Sequence, residues 1–306
     1  YDVMKWKVDG QTIAGGNGKG DKLNQLKYSY GIYVDDEEKC IYIADTLNHR
    51  IVKCKLDGRS DHGEIVAGGN GQGNRIDQLN CPHDVIVDEK KKSLIISDSE
   101  NRRVVRWSLE NPNGDKEILI ENIKCWGLMM NENGDLFVSD KENHAVKRWK
   151  KGEKGGKGTI VAGGNGKGNQ LNQLNSPTYI FIDREETVYV SDSHNHRVMK
   201  WLKGANEGII VAGGQGQGKS LKQLFNPHGL VVNEVGDIYV ADWGNDRIMY
   251  WSLGSKEGRV VVGGNDEGEG LNQLNLPVGL SFDVENNLYV ADSENHRIQR
   301  FGIDRN

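Results

Sequence analysis

The sequence is poor in several things, and each shortage excludes a class. Proline is scarce, 5 of 306 residues, so the chain is neither collagen-like nor a proline-rich linker. Hydrophobic residues make up 36%, against about 45–50% in ordinary domains. No apolar run approaches the roughly 18 residues of a membrane helix. Basic charge is not in excess: 39 Lys and Arg face 44 Asp and Glu, for a net charge of −5. The two signs are interleaved, so nucleic acid is not an expected partner. No leader pattern precedes Tyr1, which looks like the start of a mature chain or an excised domain. There is no Asn-x-Ser/Thr acceptor for glycosylation, and helical periodicity is missing apart from single turns at the LNQL segments. Glycine is what the chain has in quantity, 40 residues, nearly twice the usual share of about 7%. A polar, glycine-rich chain of this length calls for many short strands and many turns.

Six segments read alike: IYIADTLNHRIVK from Ile41, LIISDSENRRVVRW from Leu94, LFVSDKENHAVKRW from Leu136, VYVSDSHNHRVMKW from Val188, IYVADWGNDRIMYW from Ile238 and LYVADSENHRIQRF from Leu288. Each holds an Asp with an Asn three residues later; the aspartates are Asp45, Asp98, Asp140, Asp192, Asp242 and Asp292. Their period is about 50 residues, within the range of repeat architectures. A second landmark precedes most copies, as in TIAGGNGKG at Thr12 and TIVAGGNGKG at Thr159. At Glu117 it decays to EILIENIK, and there the glycine-rich loop and its LNQL segment are missing, which makes the third repeat the short one.

Each repeat reads as four strands. The first is typified by GLVVN (229–233), the second by the alternating IYVAD run, the third by HRVMKW and the fourth by TIVAGG, with turn signals between them. Six four-stranded antiparallel units at this period mean an all-β, six-bladed β-propeller, because no unit can bury its apolar faces alone. The chain opens on a fourth-strand segment (11–16) and ends after a third strand (297–303), so the N-terminal strand should complete the last blade. One domain, 1–306, is expected, with blades near 17–69, 70–122, 123–164, 165–214, 215–264, and 265–306 plus 1–16. The VMKW run at 3–6 duplicates a third-strand pattern, as though the chain were cut from a longer parent.

The DSHNHRVMKW, DTLNHRIVK and DSENHRIQRF segments, each after a hydrophobic strand, resemble the NHL repeat family from Gln11 to Phe301. Departures are Arg102 for the His of the second repeat, Ala145 for the Arg of the third and Asp246 for the His of the fifth. The resemblance implies a six-bladed propeller. It also implies a range of functions: most such domains are recognition platforms for proteins, RNA or other ligands, and a related propeller carries a zinc-dependent peptidyl-hydroxyglycine lyase activity.

The six Asp-x-x-Asn loops resemble metal motifs, but six copies round a ring point to hairpin turns whose side chains bond nearby backbone N–H groups. The arginines that follow (Arg50, Arg103, Arg197, Arg247, Arg297) are expected to pair with an Asp. The AGGNGxG runs lack the helix start that a phosphate loop needs and read as tight connections between blades. Trp6, Trp107, Trp149, Trp201 and Trp251, with Phe301, recur at one repeat position and read as packing between blades.

Positions where the repeats differ are freer to carry function. The start of the first strand lines the central channel in propellers. There the sequence places Tyr30, His83, Trp126, Thr178, His228 and Val278, followed by Gly31, Asp84, Gly127, Tyr179, Gly229 and Gly279. Trp243 and His194 lie in hairpin loops at the same mouth. The candidate ligand site is therefore Tyr30, His83, Asp84, Trp126, Tyr179, His228 and Trp243, a composition suited to a peptide or small amphipathic ligand. His83 and His228 resemble the positions that hold zinc in the lyase and are the candidates for Zn²⁺ or Ca²⁺ in the channel. They fall on opposite blades without a third His, so no catalytic residue, metal ligand or cofactor is assigned. The lysine-rich KKGEKGGKG at Lys150 reads as a solvated turn.

The four cysteines are Cys40, Cys54, Cys81 and Cys125. Folding the first hairpin about its loop places Cys40 nearly opposite Cys54, and Cys81 and Cys125 both start first strands, so the expected disulfides are Cys40–Cys54 and Cys81–Cys125. Two such bonds would favour an extracellular protein, the alternative being a cytoplasmic one with buried thiols. The expected function is non-enzymatic recognition of a protein, peptide or small ligand by a monomeric domain of a larger protein. The alternative is a metal-dependent lyase or hydrolase; RNA binding ranks below both.

Overall fold

The computed structural model describes residues 4–58, 62–111 and 114–305. Six four-stranded antiparallel sheets follow one another along the chain, and the first strands of successive sheets pack in a closed ring. Blade one runs Ser29–Asp35, Cys40–Asp45, Arg50–Lys55 and Glu64–Gly68; blade four runs Pro177–Ile182, Val188–Asp192, Arg197–Trp201 and Ile209–Gly213. The ring closes as the sequence implies: Gln11–Gly15 pairs with Arg297–Phe301 as the outer strand of blade six. Of the VMKW run, Val3 lies outside the described residues, and Trp6 makes a single bridge to Ile303 rather than a third strand.

The second strands are buried at every position, as in Val188–Asp192 and Leu288–Asp292. Their alternation does not separate core from solvent. It separates one neighbour from the other: Ile41 and Ile43 pack toward blade six, and Tyr42 and Ala44 toward blade two. Trp149, Trp201, Trp251 and Phe301 are fully buried between blades.

The repeated Asp-x-x-Asn-x-Arg segment is a clamp on the loop that enters its own blade. In blade four, Asp192 Oδ1 accepts the Asn175 N–H at 2.7 Å, and Oδ2 accepts from Asn195 Nδ2 and Arg197 Nε. The rest of the Arg197 guanidinium donates to the carbonyls of Asn169, Gln170 and Gln173. Arg50, Arg103, Arg247 and Arg297 repeat the arrangement. The intervening His faces onward. His196 Nδ1 accepts the N–H of Asn226 at the start of the next blade, as His49 does for Cys81 and His144 for Ser176.

All three departures from the motif follow from this. No glycine-rich loop enters blade three, so Ala145 replaces the clamping Arg, and Lys147, two residues along the strand, pairs with Asp140 at 2.7 Å instead. For the same reason the onward residue of blade two is free to be Arg102, which pairs with Glu142. Asp246 Oδ1 accepts the Leu276 N–H in place of a histidine nitrogen.

The expected disulfides are not formed; all four cysteines are free thiols. In the first hairpin Cys40 faces Lys55, and Ile41 faces Cys54. That offset of one residue turns the two side chains to opposite faces of the sheet: Cys40 packs toward blade two and Cys54 toward blade six. Cys125 is buried with its thiol donating to the Arg103 carbonyl, while Cys81 sits in the turn before its strand with φ of 50°. Burial pushes the Cys40 thiol up to about 11 and the Cys54 thiol to about 12. Free thiols remove the argument from the cysteines to an oxidising compartment.

Candidate functional site

The first strands converge so tightly on the axis that most blades tolerate only glycine at the second channel position. A Cβ on Gly279 would stand 2.3 Å from the Tyr30 carbonyl oxygen, and one on Gly31 2.2 Å from Asp84 Oδ1. Two blades depart from glycine, and both side chains bond to another blade. The Asp84 carboxylate accepts the N–H of Val85 and, from blade three, that of Leu128 at 2.8 Å. Tyr179 donates its hydroxyl to the His83 carbonyl at 3.1 Å. Both side chains are buried. Burial holds the Asp84 carboxyl up at about 7 and raises the Tyr179 phenol.

Above them the predicted aromatic residues meet in one stack. Tyr30 lies 5.2 Å from His83 and 5.8 Å from Trp126, centroid to centroid. His83 lies 4.0 Å from Trp126, Trp126 5.8 Å from His228, and His228 5.6 Å from Trp243. The Lys141 ammonium, from the hairpin of blade three, stands 4.0 Å over the Trp126 ring. His83 and Trp126 are buried, Thr178 and Val278 more so, whereas Tyr30, His228 and Trp243 remain half-buried. His194 is exposed at the rim. Burial, aided by the Lys141 and Lys124 charges, lowers the His83 imidazole to about 3, and burial lowers His228 to about 4. Both rings are therefore neutral at pH 7.

These positions do not fit the metal site that the sequence resemblance implies. The Trp126 ring lies between His83 and His228, and among the described residues no group of three His, Cys, Asp or Glu side chains could hold an ion. The His83 Nδ1 is buried without a hydrogen-bond partner, but it faces an aromatic stack rather than further ligands.

The NHL repeat model matches residues 274–301, the hairpin region of blade six. The chain is a six-bladed β-propeller that carries an NHL repeat in its last blade. No curated protein sequence matches it. Among solved structures it is similar to an auxiliary nutrient binding protein from Bacteroides thetaiotaomicron, with a TM-score of 0.74, 16% identity, and coverage of 99% of this chain and 78% of that one. It is similar to a gluconolactonase from Xanthomonas campestris (TM-score 0.65, 11% identity, 99% and 97% covered). It is also similar to virginiamycin B lyase from Staphylococcus aureus (TM-score 0.60, 13% identity, 99% and 100% covered). At such identities the likeness is one of fold.

Two cavities lie outside the channel. One of about 720 Å³ opens on the side of the ring between blades four and five, and one of about 370 Å³ occupies the corresponding groove between blades three and four. The sequence reading missed these grooves, because they are built from repeat positions that looked architectural. No helix is long and apolar enough to cross a membrane.

Proposed function

We propose that this propeller is a non-catalytic recognition module and that a protein segment, peptide or small amphipathic molecule docks on the aromatic mouth. The observation that carries this reading is the continuous stack of Tyr30, His83, Trp126, His228 and Trp243 beneath the Lys141 ammonium. Neutral rings offer apolar area, and the half-buried members present their faces without a large ordering cost. The amine beside them favours a ligand that pairs an apolar group with an acceptor. Asp84 has an elevated carboxyl pKa of the kind found in acid–base catalysis. It lies buried with its oxygens taken by two backbone N–H groups, so its role is to join blades two and three.

The test is peptide display against the whole chain. Binders selected on the native protein should lose about 1–3 kcal/mol on Trp243→Ala or Tyr30→Ala, with melting little changed. Trp126 is a poorer probe, because its buried ring supports the channel and its loss would cost stability. Selected binders that keep full affinity for both variants would overturn the mouth as the site.

A further inference from the structure

The groove between blades three and four and the groove between blades four and five are built from equivalent repeat positions and differ in chemistry. In the groove between blades three and four, Arg148 pairs with Glu186 at 3.1 Å, and Lys203 pairs with the same carboxylate. One repeat further on, Lys200 takes the place of Arg148: Arg148 faces Phe137 across its hairpin as Lys200 faces Tyr189. The place of Glu186 is taken by Gly236. Losing that side chain removes the counter-charge and clears space, and the cavity is about 720 Å³ rather than 370 Å³. Lys200, Lys222 and Lys256 line it, and no carboxylate does. None of the three has an ion pair among the described residues. The apolar part of the wall includes Ile209, Ile210 and Leu253, all exposed.

The next groove shows what such a space can receive. Between blades five and six it is filled by the chain's own segment 4–7. The Trp6 ring packs edge-on against Tyr239 at 5.6 Å, and its Nε1 donates to the Asn286 carbonyl at 2.9 Å. The Arg259 guanidinium donates to the Met4 carbonyl at 3.4 Å. Tyr239, Asn286 and Arg259 are the repeat equivalents of Tyr189, Gly236 and Ile209. Trp6 is buried there to 6% exposure, so an extended segment with one indole fits this groove shape closely.

We propose that the groove between blades four and five is a second docking site, independent of the channel mouth, for an extended acidic peptide segment of a partner that inserts one aromatic side chain. The aromatic follows from the Trp6 precedent, and the acidic flanks follow from three lysines without counter-charge. The chain's own 4–7 segment carries Lys5 and Lys7, so a second copy of this chain is a poor occupant on charge.

The experiment titrates the full chain at low salt with the blocked peptide Glu-Asp-Trp-Asp-Glu, by calorimetry and NMR. The expected result is saturable binding that weakens about tenfold or more when Trp is replaced by Ala in the peptide, when Lys222→Glu and Lys256→Glu are combined, and in Gly236→Glu. Gly236→Glu rebuilds the neighbouring groove. Glu186 and Asn286 hold the same backbone position at φ of 60° and 63°, so the substitution is compatible with the turn; should it still unfold the protein, the lysine pair alone decides. Trp243→Ala should leave this binding unchanged. Three results would overturn the proposal: no binding at millimolar peptide, equal binding of Lys-Lys-Trp-Lys-Lys, or binding that responds to Trp243→Ala and not to the groove variants.

Discussion

Blade three and blade four carry the same buried aspartate and use it differently. Asp192 in blade four organises an arginine that reaches three carbonyls of the incoming loop. Among the described residues, Asp140 in blade three holds Asn143 and Lys147 from its own hairpin and no residue of an incoming loop. The loop is absent before blade three, and the arginine is absent with it. The motif is therefore selected by the loop it clamps, and its charged residues mark architecture rather than a binding face. Blade three has other ties to its predecessor: Asp84 accepts the Leu128 N–H, and Ser97 donates its hydroxyl to the Trp126 carbonyl at 2.7 Å.

The widest gap between the two blades should appear on removing the clamp. Arg197→Ala leaves Asp192, which is fully buried, without its cation and strips three carbonyls of their donor. Losing one partner of a buried pair costs about 3–5 kcal/mol. Urea unfolding measures it, and a cost below about 1 kcal/mol would mean that the loop holds itself without the arginine.

An effect of similar size and opposite character belongs to the junction of blades two and three. Asp84 is held at about 7 in the folded protein, against 3.8 for an ordinary aspartate, because burial disfavours its charge. A raised carboxyl pKa means that the folded state keeps its proton longer than the unfolded one. Its contribution to stability is full below about pH 4 and is lost as pH rises through about 7. His83 and His228 act in the other direction: their lowered pKa values withdraw stability as pH falls below about 6.5. Comparing native protein with Asp84→Asn isolates the carboxyl. The stability difference between the two should change by about 4 kcal/mol in favour of the variant from pH 4 to 7 and then level off. A difference independent of pH would show that Asp84 titrates normally.

How far the sequence reveals this molecule depends on whether a feature repeats. The blade recurs six times and the arginine clamp five, and recurrence separates pattern from accident. The channel residues Tyr30, His83, Trp126, His228 and Trp243 are legible for the complementary reason, since they vary where the repeat does not dictate them. Their mutual stacking was not legible, because the width of the channel depends on how closely Gly31 and Gly279 let the strands approach. Cys40 and Cys54 show the finest limit. Counting residues round a hairpin loop places them nearly opposite, but a single step of register decides the face. The groove between blades four and five does leave a signal in the sequence, Gly236 in register with Glu186, but it lies in a turn outside the repeated motifs.

The last test sharpens the opening comparison at its weaker member. Lys147→Ala removes the cation that pairs with Asp140. The carboxylate keeps the Asn143 N–H and side-chain amide, and no loop carbonyls are stranded, because the amine reaches none. The Lys147 side chain is 16% exposed, so water can take its place. A charge-assisted bond lost under these conditions costs about 1–2 kcal/mol. The informative quantity is the ratio to Arg197→Ala under the same urea titration. If the two cost the same, the carboxylate–cation pair carries the whole clamp and the loop carbonyls add nothing. If Lys147→Ala costs a third as much or less, the additional stabilisation in blade four comes from fastening the loop, and the loss of loop and arginine together in blade three is one structural event.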